Sequence, residues 1–513
     1  STDFIGYLKS KGIQGPALRS NPSSYLSNII TEMPKSIISS SNIENLSITI
    51  NSKDWKTLNR YRKIAMNNNI ISDNEKKYIK AQILHNGTTI KAKVRLKGDW
   101  VDHLLGKKWS LRFKLEDNHF IKGMNKFSLQ SPATRDFQGQ LLIDKMLREY
   151  NILTPRNFYV KTKINGNNIG VMLFSEHFSK ELLEHSNRKE SVIIKFDEAD
   201  LWKSRINNKI YNADEFSAKI IAFGMEKIHQ DKNLYENYKT AIGLMRGFLN
   251  GHFQANEVFD VKIMGDFLAI NDLWGESHGL IWHNLRFYYN PISSKLEPIG
   301  FDQMLYHNPN TLDLSNDWIS NSKFISKIRS NGFIKLVYIK TLKELKNKFE
   351  DTNYLNQYVK LDDKYEKILR REFFLKPPPL MKISDLDNRI NLLITNATDS
   401  LIIMEPYRDN IGWVINPSMT SKVVDFEYRK LFKKSDLFVG EFYKYGLENL
   451  GLKSPFHGYS EMESHKKIIN SFLKEIKKDL EICRTFLIQN SVYRTYYKTG
   501  FFSGLPGTNN DQI

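Results

Sequence analysis

The chain has 513 residues, 41% of them hydrophobic and 12% aromatic, so it is too long for one ordinary core and too apolar for wholesale disorder; two to four folded domains are expected. Its single cysteine, Cys483, excludes an intrachain disulfide framework and a Cys-based zinc site, and no run of about 18 apolar residues could span a bilayer as a helix. The formal net charge of +18 favours an anionic partner, a protein or polymer substrate among them, but the lysines are spread along the chain and no nucleic-acid-binding motif is present.

In chain order, residues 1–44 form a polar lead punctuated by Pro16, Pro22 and Pro34 and read as an N-terminal arm. The chain begins with Ser rather than Met, which suggests a trimmed start with a signal or anchor removed upstream. Leu46, Ile48 and Ile50 then alternate with polar residues, as in a half-buried strand, and a helix is expected from Asp54 with Asn51 or Ser52 as N-cap. Segments 78–83, 89–96 and 109–115 are strand-like. In the last, Trp109, Leu111 and Phe113 share one face while Ser110, Arg112 and Lys114 share the other.

Ser131-Pro132 predicts a helix start, Ser as N-cap and Pro at the first helical position, running to about Tyr150 with Leu142, Ile143, Met146, Leu147 and Tyr150 on its apolar face. Segments 158–164 and 169–174, joined through Asn165-Gly166, predict a hairpin. A strand at 192–196, a long helix at 256–275 and two strands at 285–289 and 296–299 follow. The pattern is helical from Asn331 to about Phe374, and Pro377, Pro378 and Pro379 mark a boundary. Beyond it, segments 411–415 and 437–443 suggest strands, 462–488 a basic amphipathic helix, and 500–513 a loose tail. The expected organisation is therefore an arm at 1–44, a main domain at 45–375, a mixed region at 380–499 and the tail.

The chemistry concentrates where helix, polar loop, Asn284, strand, turn, strand and Asp302 succeed one another. An amide oxygen on Asn284 and a carboxylate on Asp302 would end neighbouring strands at about the same height. Such oxygen donors suit Mg²⁺ or Mn²⁺ held against nucleotide phosphates. An Asn at a loop–strand junction equally serves as a turn or cap residue, and the residues alone leave both accounts open.

Several phrases, in order, resemble the CotH spore-coat kinase family. They are the alternating strand and Asp54-Trp55 helix; Arg95-Leu96-Lys97-Gly98; Lys108-Trp109-Ser110-Leu111-Arg112-Phe113-Lys114; the phrase leading to Arg135-Asp136; and the hairpin from Val160 to Glu176 with Asn165-Gly166 and Gly170. No single phrase is decisive, but their order and spacing agree over more than half the chain. The resemblance implies an α+β, atypical protein-kinase-like two-lobed fold with an additional C-terminal region, ATP as phosphoryl donor, and Mg²⁺ or Mn²⁺. It implies ATP contacts from Arg112, Lys114 and Glu176, a family arginine at Arg135, and Asn284 with Asp302 as the metal pair. Arg112 and Lys114 can equally belong to a solvated sheet face, and Glu176 to a salt bridge.

Two departures bear on activity. The family's loop aspartate ahead of the Asn is missing; Gly279 to His283 carry no carboxylate, and Glu276 and His278 are the nearest ionisable candidates for a base. Met304 stands where a second carboxylate is expected after Asp302. Two expectations follow: a phosphotransferase acting on a protein or other hydroxyl, or a degenerate kinase fold serving as a binding or assembly module at a cell surface or in polymer export.

Overall fold

A computed structural model describes residues 43–202, 214–304, 322–370, 372–373, 376, 383–399, 404–406 and 413–415. The arm before residue 43, Pro377 to Pro379, the expected strand at 437–443, the basic helix and the tail lie outside these residues.

Alternating strands, with two that are buried nearly throughout (Lys126–Gln130 and Asn167–Glu176), build a closed barrel. Its strands are β1 (Asn45–Thr49), β2 (Ile79–His85), β3 (Thr88–Leu96), β4 (Leu111–Leu115), β5 (Lys126–Gln130), β6 (Asn157–Ile164) and β7 (Asn167–Glu176), in the order β1-β2-β3-β4-β5-β7-β6. All neighbours are antiparallel except β1 and β6, which pair in parallel with Leu46 opposite Thr162 and close the sheet. Inward residues such as Ile48, Ile83, Val94, Phe113 and Phe127 are buried in one core. Phe113, Phe127, Phe174 and Phe158 stack in sequence, with centroids 5.3, 4.0 and 4.6 Å apart.

Helix α1 (Ser52–Asn68) packs Leu58 and Ala65 into this core. Its N-cap is Asn51, whose Oδ1 accepts the Asp54 N–H at 2.9 Å. Asn165 (φ 49°) and Gly166 (φ 81°) make the expected hairpin turn. The Asn165 Oδ1 also accepts the Ile50 N–H at 2.7 Å, so the turn is tied to the end of β1.

The helix expected from Ser131 to Tyr150 is broken. A 3₁₀ turn covers Pro132–Arg135, and α2 begins only at Gly139 (Gly139–Glu149). Between them Asp136 and Phe137 adopt left-handed backbones (φ 55° and 53°), and Phe137 buries its ring against Phe373. Ser131 makes no side-chain cap; its carbonyl accepts from Thr134 instead. The apolar face from Leu142 to Tyr150 is buried as expected. Tertiary placement of Arg135 and Phe137 has overridden a helical period that continued through them.

After α3 (Lys180–His185), an open antiparallel sheet joins β8 (Ile193–Phe196), β9 (Ile220–Ala222), β10 (Arg286–Asn290) and β11 (Lys295–Pro298) in the order β11-β10-β8-β9. Tyr288 of this sheet packs with Leu153, Phe178, Leu182, Ile193 and Ile299. Helices α4 (Met225–Gln230) and α5 (Lys232–Leu249) lie in the chain between β9 and β10. The expected helix 256–275 is likewise interrupted, into α6 (Ala255–Val258) and α7 (Val261–Leu273). Phe259 is extended, and the Asp260 carboxylate caps the new helix by accepting the Ile263 N–H at 2.9 Å.

Helices α8 (Lys323–Arg329), α9 (Gly332–Glu350), α10 (Thr352–Leu369) and α11 (Leu386–Asp399) follow. A short pair, β12 (Met404–Pro406) and β13 (Trp413–Ile415), comes last among the described residues. Contacts divide the chain into two compact units. One holds the barrel, the open sheet and α10. The other includes described residues 250–269 and 325–346, where Asp266 accepts from Thr341 Oγ1 at 2.5 Å and from Lys262 at 2.6 Å.

Candidate anion-binding site around Asp302

Asp302 follows β11 at the end of Ile299-Gly300-Phe301, with a left-handed backbone (φ 59°). Its carboxylate is buried and bonded to Nη1 of Arg135, from the 3₁₀ turn after β5. Arg135 Nε donates to Gln130 Oε1 at 2.9 Å, and the same oxygen accepts from Lys97 Nζ at 2.6 Å. Thus β3, β5 and the segment after β11 deliver two cations and one carboxylate to one place. Non-glycine left-handed residues flank both members of the ion pair, at Asp302 and at Asp136-Phe137. Strain of this kind is held only where the surrounding structure over-determines it.

More positive charge surrounds this pair. Arg112, two residues along β4 from Lys114, donates its Nε to Ser128 Oγ at 3.1 Å. Arg286, at the start of β10, donates Nη1 to the His283 and Leu285 carbonyls at 2.8 and 2.9 Å and lies 5.1 Å from the Phe301 ring. Its Nε is buried and has no hydrogen-bond partner among the described residues.

The electrostatics record this crowding. Burial, then repulsion from Arg135 and Arg112, pushes the Lys97 ammonium well below its ordinary range. Burial and neighbouring Arg95 bring Arg112 down to about 10. Burial would raise Asp302, but Arg135, His278 and Lys97 more than offset it and hold the carboxyl well below the usual range. Of the other acids nearby, Asp99 is engaged by Lys76 at 2.6 Å and Glu198, which acts on Arg286, by Lys195 at 3.0 Å. Four cations, Lys97, Arg112, Arg135 and Arg286, therefore gather near Asp302. Buried surplus charge is costly unless a counter-ion completes it.

The structure brings together three of the residues singled out from sequence. His278 Nδ1 lies 2.8 Å from the Asp302 carbonyl oxygen and 3.9 Å from its Oδ2. Asn284 donates its amide to the His278 carbonyl at 2.9 Å. Glu276 is near but differently employed: one oxygen accepts the Gly279 N–H at 2.5 Å and the other accepts the Met304 N–H. Burial pushes its carboxyl up to about 8. A Cβ on Gly279 would lie 2.9 Å from the Phe301 carbonyl and 3.2 Å from Gln303 Cγ, so this position has no room for a carboxylate side chain.

Glu176, at the end of β7, is buried and gripped by Arg156, whose Nε and backbone N–H donate to Oε2 at 2.9 and 3.0 Å. No hydrogen bond or ion pair joins it to Asp302, Asn284 or His278 among the described residues. Lys114 is exposed on the same outward face of β4 as Arg112. Lys97 and Arg286 carry no role in the sequence pattern alone. Period-two alternation from Arg95 was the available signal for Lys97; Arg286 carried none, because its partners come from the loop and from Phe301.

Among the described residues no group of three or more His, Cys, Asp or Glu could hold a metal. Asp302 and Asn284 offer one carboxylate and one amide beside His278. These are oxygen donors of the kind Mg²⁺ takes, but they are two, and the Asp302 carboxylate is paired with Arg135. No family model matches the chain, and no curated protein matches it.

Proposed function

We propose that this chain is an atypical kinase-like phosphotransferase, similar to the CotH family, which binds ATP phosphates through Lys97, Arg112 and Arg135. The observation carrying this reading is that Arg135 and Lys97 converge on the buried Asp302 carboxylate, with Arg112 acting on Arg135, an arrangement suited to an anionic ligand. The barrel would supply the phosphate-binding side and the open sheet the Asn284–Asp302 side. Asp302 and Asn284 would hold a divalent ion, whose contribution is to neutralise charge on the phosphates.

Within this reading Arg135 turns from Asp302 to a phosphate oxygen and steadies the transferring group. An acceptor hydroxyl oxygen bonds to the γ-phosphorus as the bond to the β-phosphate oxygen breaks, and ADP leaves. His278, beside Asp302, takes the hydroxyl proton. Glu276, with both oxygens on backbone N–H groups, holds the 276–279 loop rather than acting as base.

A second reading, a degenerate kinase fold that binds without transferring, is favoured by the Arg135–Asp302 ion pair and the steric closure at Gly279. Thermal unfolding with ATP, with and without Mg²⁺ or Mn²⁺, and phosphate release measured on the same samples, separate the two. The kinase reading expects a metal-dependent rise in melting temperature, equivalent to ~2.7 kcal/mol at a hundredfold excess over Kd. Lys97→Met should remove the ATP response, and Asp302→Asn its metal-dependent part. A metal-independent rise with no turnover selects the second reading; no rise at all defeats both as nucleotide binders.

A further inference from the structure

Asp144 on α2 and Asn157 at the start of β6 are joined by one hydrogen bond and stand one donor short. Asn157 Nδ2 donates to Asp144 Oδ2 at 2.7 Å and to the Pro155 carbonyl at 3.2 Å. The Pro155 contact fixes which end of the amide is which, because a carbonyl oxygen needs a donor. The remaining oxygens, Asp144 Oδ1 and Asn157 Oδ1, are both buried, and neither has a hydrogen-bond partner among the described residues. The Asp144 side chain lies wholly inside the protein. One proton on Asp144 supplies the donor that the two oxygens lack.

The surroundings favour that proton. The titratable groups facing Asp144 are Arg148 of its own helix and Tyr365 of α10; from β6 it meets Asn157 alone among the described residues. Arg148 turns its Nη1 to Thr154 Oγ1 at 2.5 Å and makes no ion pair with Asp144. Burial therefore dominates and pushes the Asp144 carboxyl up to about 7.

The pair also closes the loop that seats Asp302. Residues 150–156 run from α2 to β6, between Asp144 and Asn157. In that loop Leu153 bridges Ile299 in parallel, and its carbonyl accepts the Gly300 N–H at 2.8 Å. A Cβ on Gly300 would come 2.5 Å from Leu147 Cδ1 and 2.8 Å from Thr154 Cγ2. No slack separates the loop from the backbone that leads into Asp302.

We propose that Asp144 and Asn157 form a proton-gated clasp. With the proton in place, Asp144 Oδ1–H donates to Asn157 Oδ1 while Asn157 Nδ2 donates to Asp144 Oδ2, and the closed acid–amide pair satisfies both buried oxygens. When the proton leaves to solvent, two acceptors oppose each other in a buried place. The clasp then opens, and the loop loosens its hold on Gly300. The folded acid is held above its unfolded value of about 4, so the stability it lends is full below that pH and is lost as pH rises through about 7. The clasp stands whether or not the chain transfers phosphate.

The full chain labelled with carboxyl-¹³C aspartate carries the test. One aspartate resonance should titrate near pH 7, and protection of the Gly300 N–H against hydrogen exchange, corrected for the intrinsic rate, should fall at least about tenfold with the same midpoint. Burial also raises Asp266 and Asp362, so Asp144→Asn identifies the resonance. In that variant a second amide N–H stands in for the acid O–H and both hydrogen bonds remain. Gly300 protection should then stay within about twofold from about pH 5.5 to about pH 7.5. Should the variant fail to fold, the resonance is assigned in the wild type by its proximity to the Asn157 side-chain N–H protons. A wild type in which no aspartate titrates above about pH 5.5 overturns the proposal. So does a titration of Asp144 that leaves Gly300 protection unchanged. A fall that persists in Asp144→Asn belongs to Glu276, the other carboxyl raised into this range, and overturns it as well.

Discussion

Arg135 and Asp302 hold the site together and also hold it shut. Removing one member of a buried ion pair leaves the other uncompensated, at roughly 3–5 kcal/mol. Asp302→Asn leaves Arg135, Lys97 and Arg112 without their counter-charge, so its loss of stability in chloride should be partly restored by phosphate. Urea unfolding of the variant in the two salts measures this; equal curves would mean that the cations do not take an anion. Glu276 has the opposite sign from Asp302. Its carboxyl ionises near 4.5 when unfolded and is held up to about 8 by burial when folded. Between those values the folded state keeps more protons, so stability falls as pH rises. Glu276→Gln should flatten that fall, read by unfolding at several pH values, at the expense of one backbone hydrogen bond. Asp302 is held low by its cations, so its contribution is present above about pH 4 and is lost as pH falls below it.

At the scale of elements, the hairpin from Asn157 to Glu176 is stitched to residues after α10. Glu372 accepts the Val171 N–H at 3.0 Å and pairs with Lys108 at 2.7 Å, and Lys108 donates to the Ile169 and Val171 carbonyls at 2.9 and 2.7 Å. Gly170 lets the carboxylate approach: its φ is 92°, and a Cβ would come 2.3 Å from Glu372 Oε1. Gly170→Ala should destabilise by roughly 1–3 kcal/mol. Combined with Glu372→Ala it should cost less than the sum of the two, because the clash is gone. Denaturation of the four proteins of this cycle decides; additive losses would mean that strain at φ 92° alone sets the cost. The hairpin itself was legible, since Asn165-Gly166 between alternating strands is a local signal. The break at Asp136-Phe137 was not, because nothing local opposes a helix there; the pull comes from Asp302 and Phe373.

For the whole molecule, a net charge of +18 sets a self-repulsion that salt should screen. Melting temperature should rise between about 50 and 500 mM chloride. If the Asp302 site takes phosphate as proposed, phosphate at equal ionic strength should raise it further. Differential scanning fluorimetry checks both, and matching curves in the two anions would count against the site. Closure of the barrel through the parallel pairing of β1 with β6 leaves Lys80, Lys93, Lys114 and Lys126 in one register row on a continuous curved face.

By itself the sequence determined the alternation of β1, β2, β3, β4 and β6, an N-cap at Asn51 or Ser52, the Asn165-Gly166 turn, the apolar face from Leu142 to Tyr150, and the stretch of chain where Asn284, His278 and Asp302 meet; β5 was not legible in it. These rest on periodicity and turn chemistry, which act within a few residues. Only the tertiary structure decided which strands close the barrel, that Arg135 occupies Asp302, that Lys97 and Arg286 join them, that Glu276 is spent on backbone N–H groups, and that four lysines fall in one register row. Each depends on groups brought together from distant parts of the chain, and charge and burial act on distance in space rather than along the sequence.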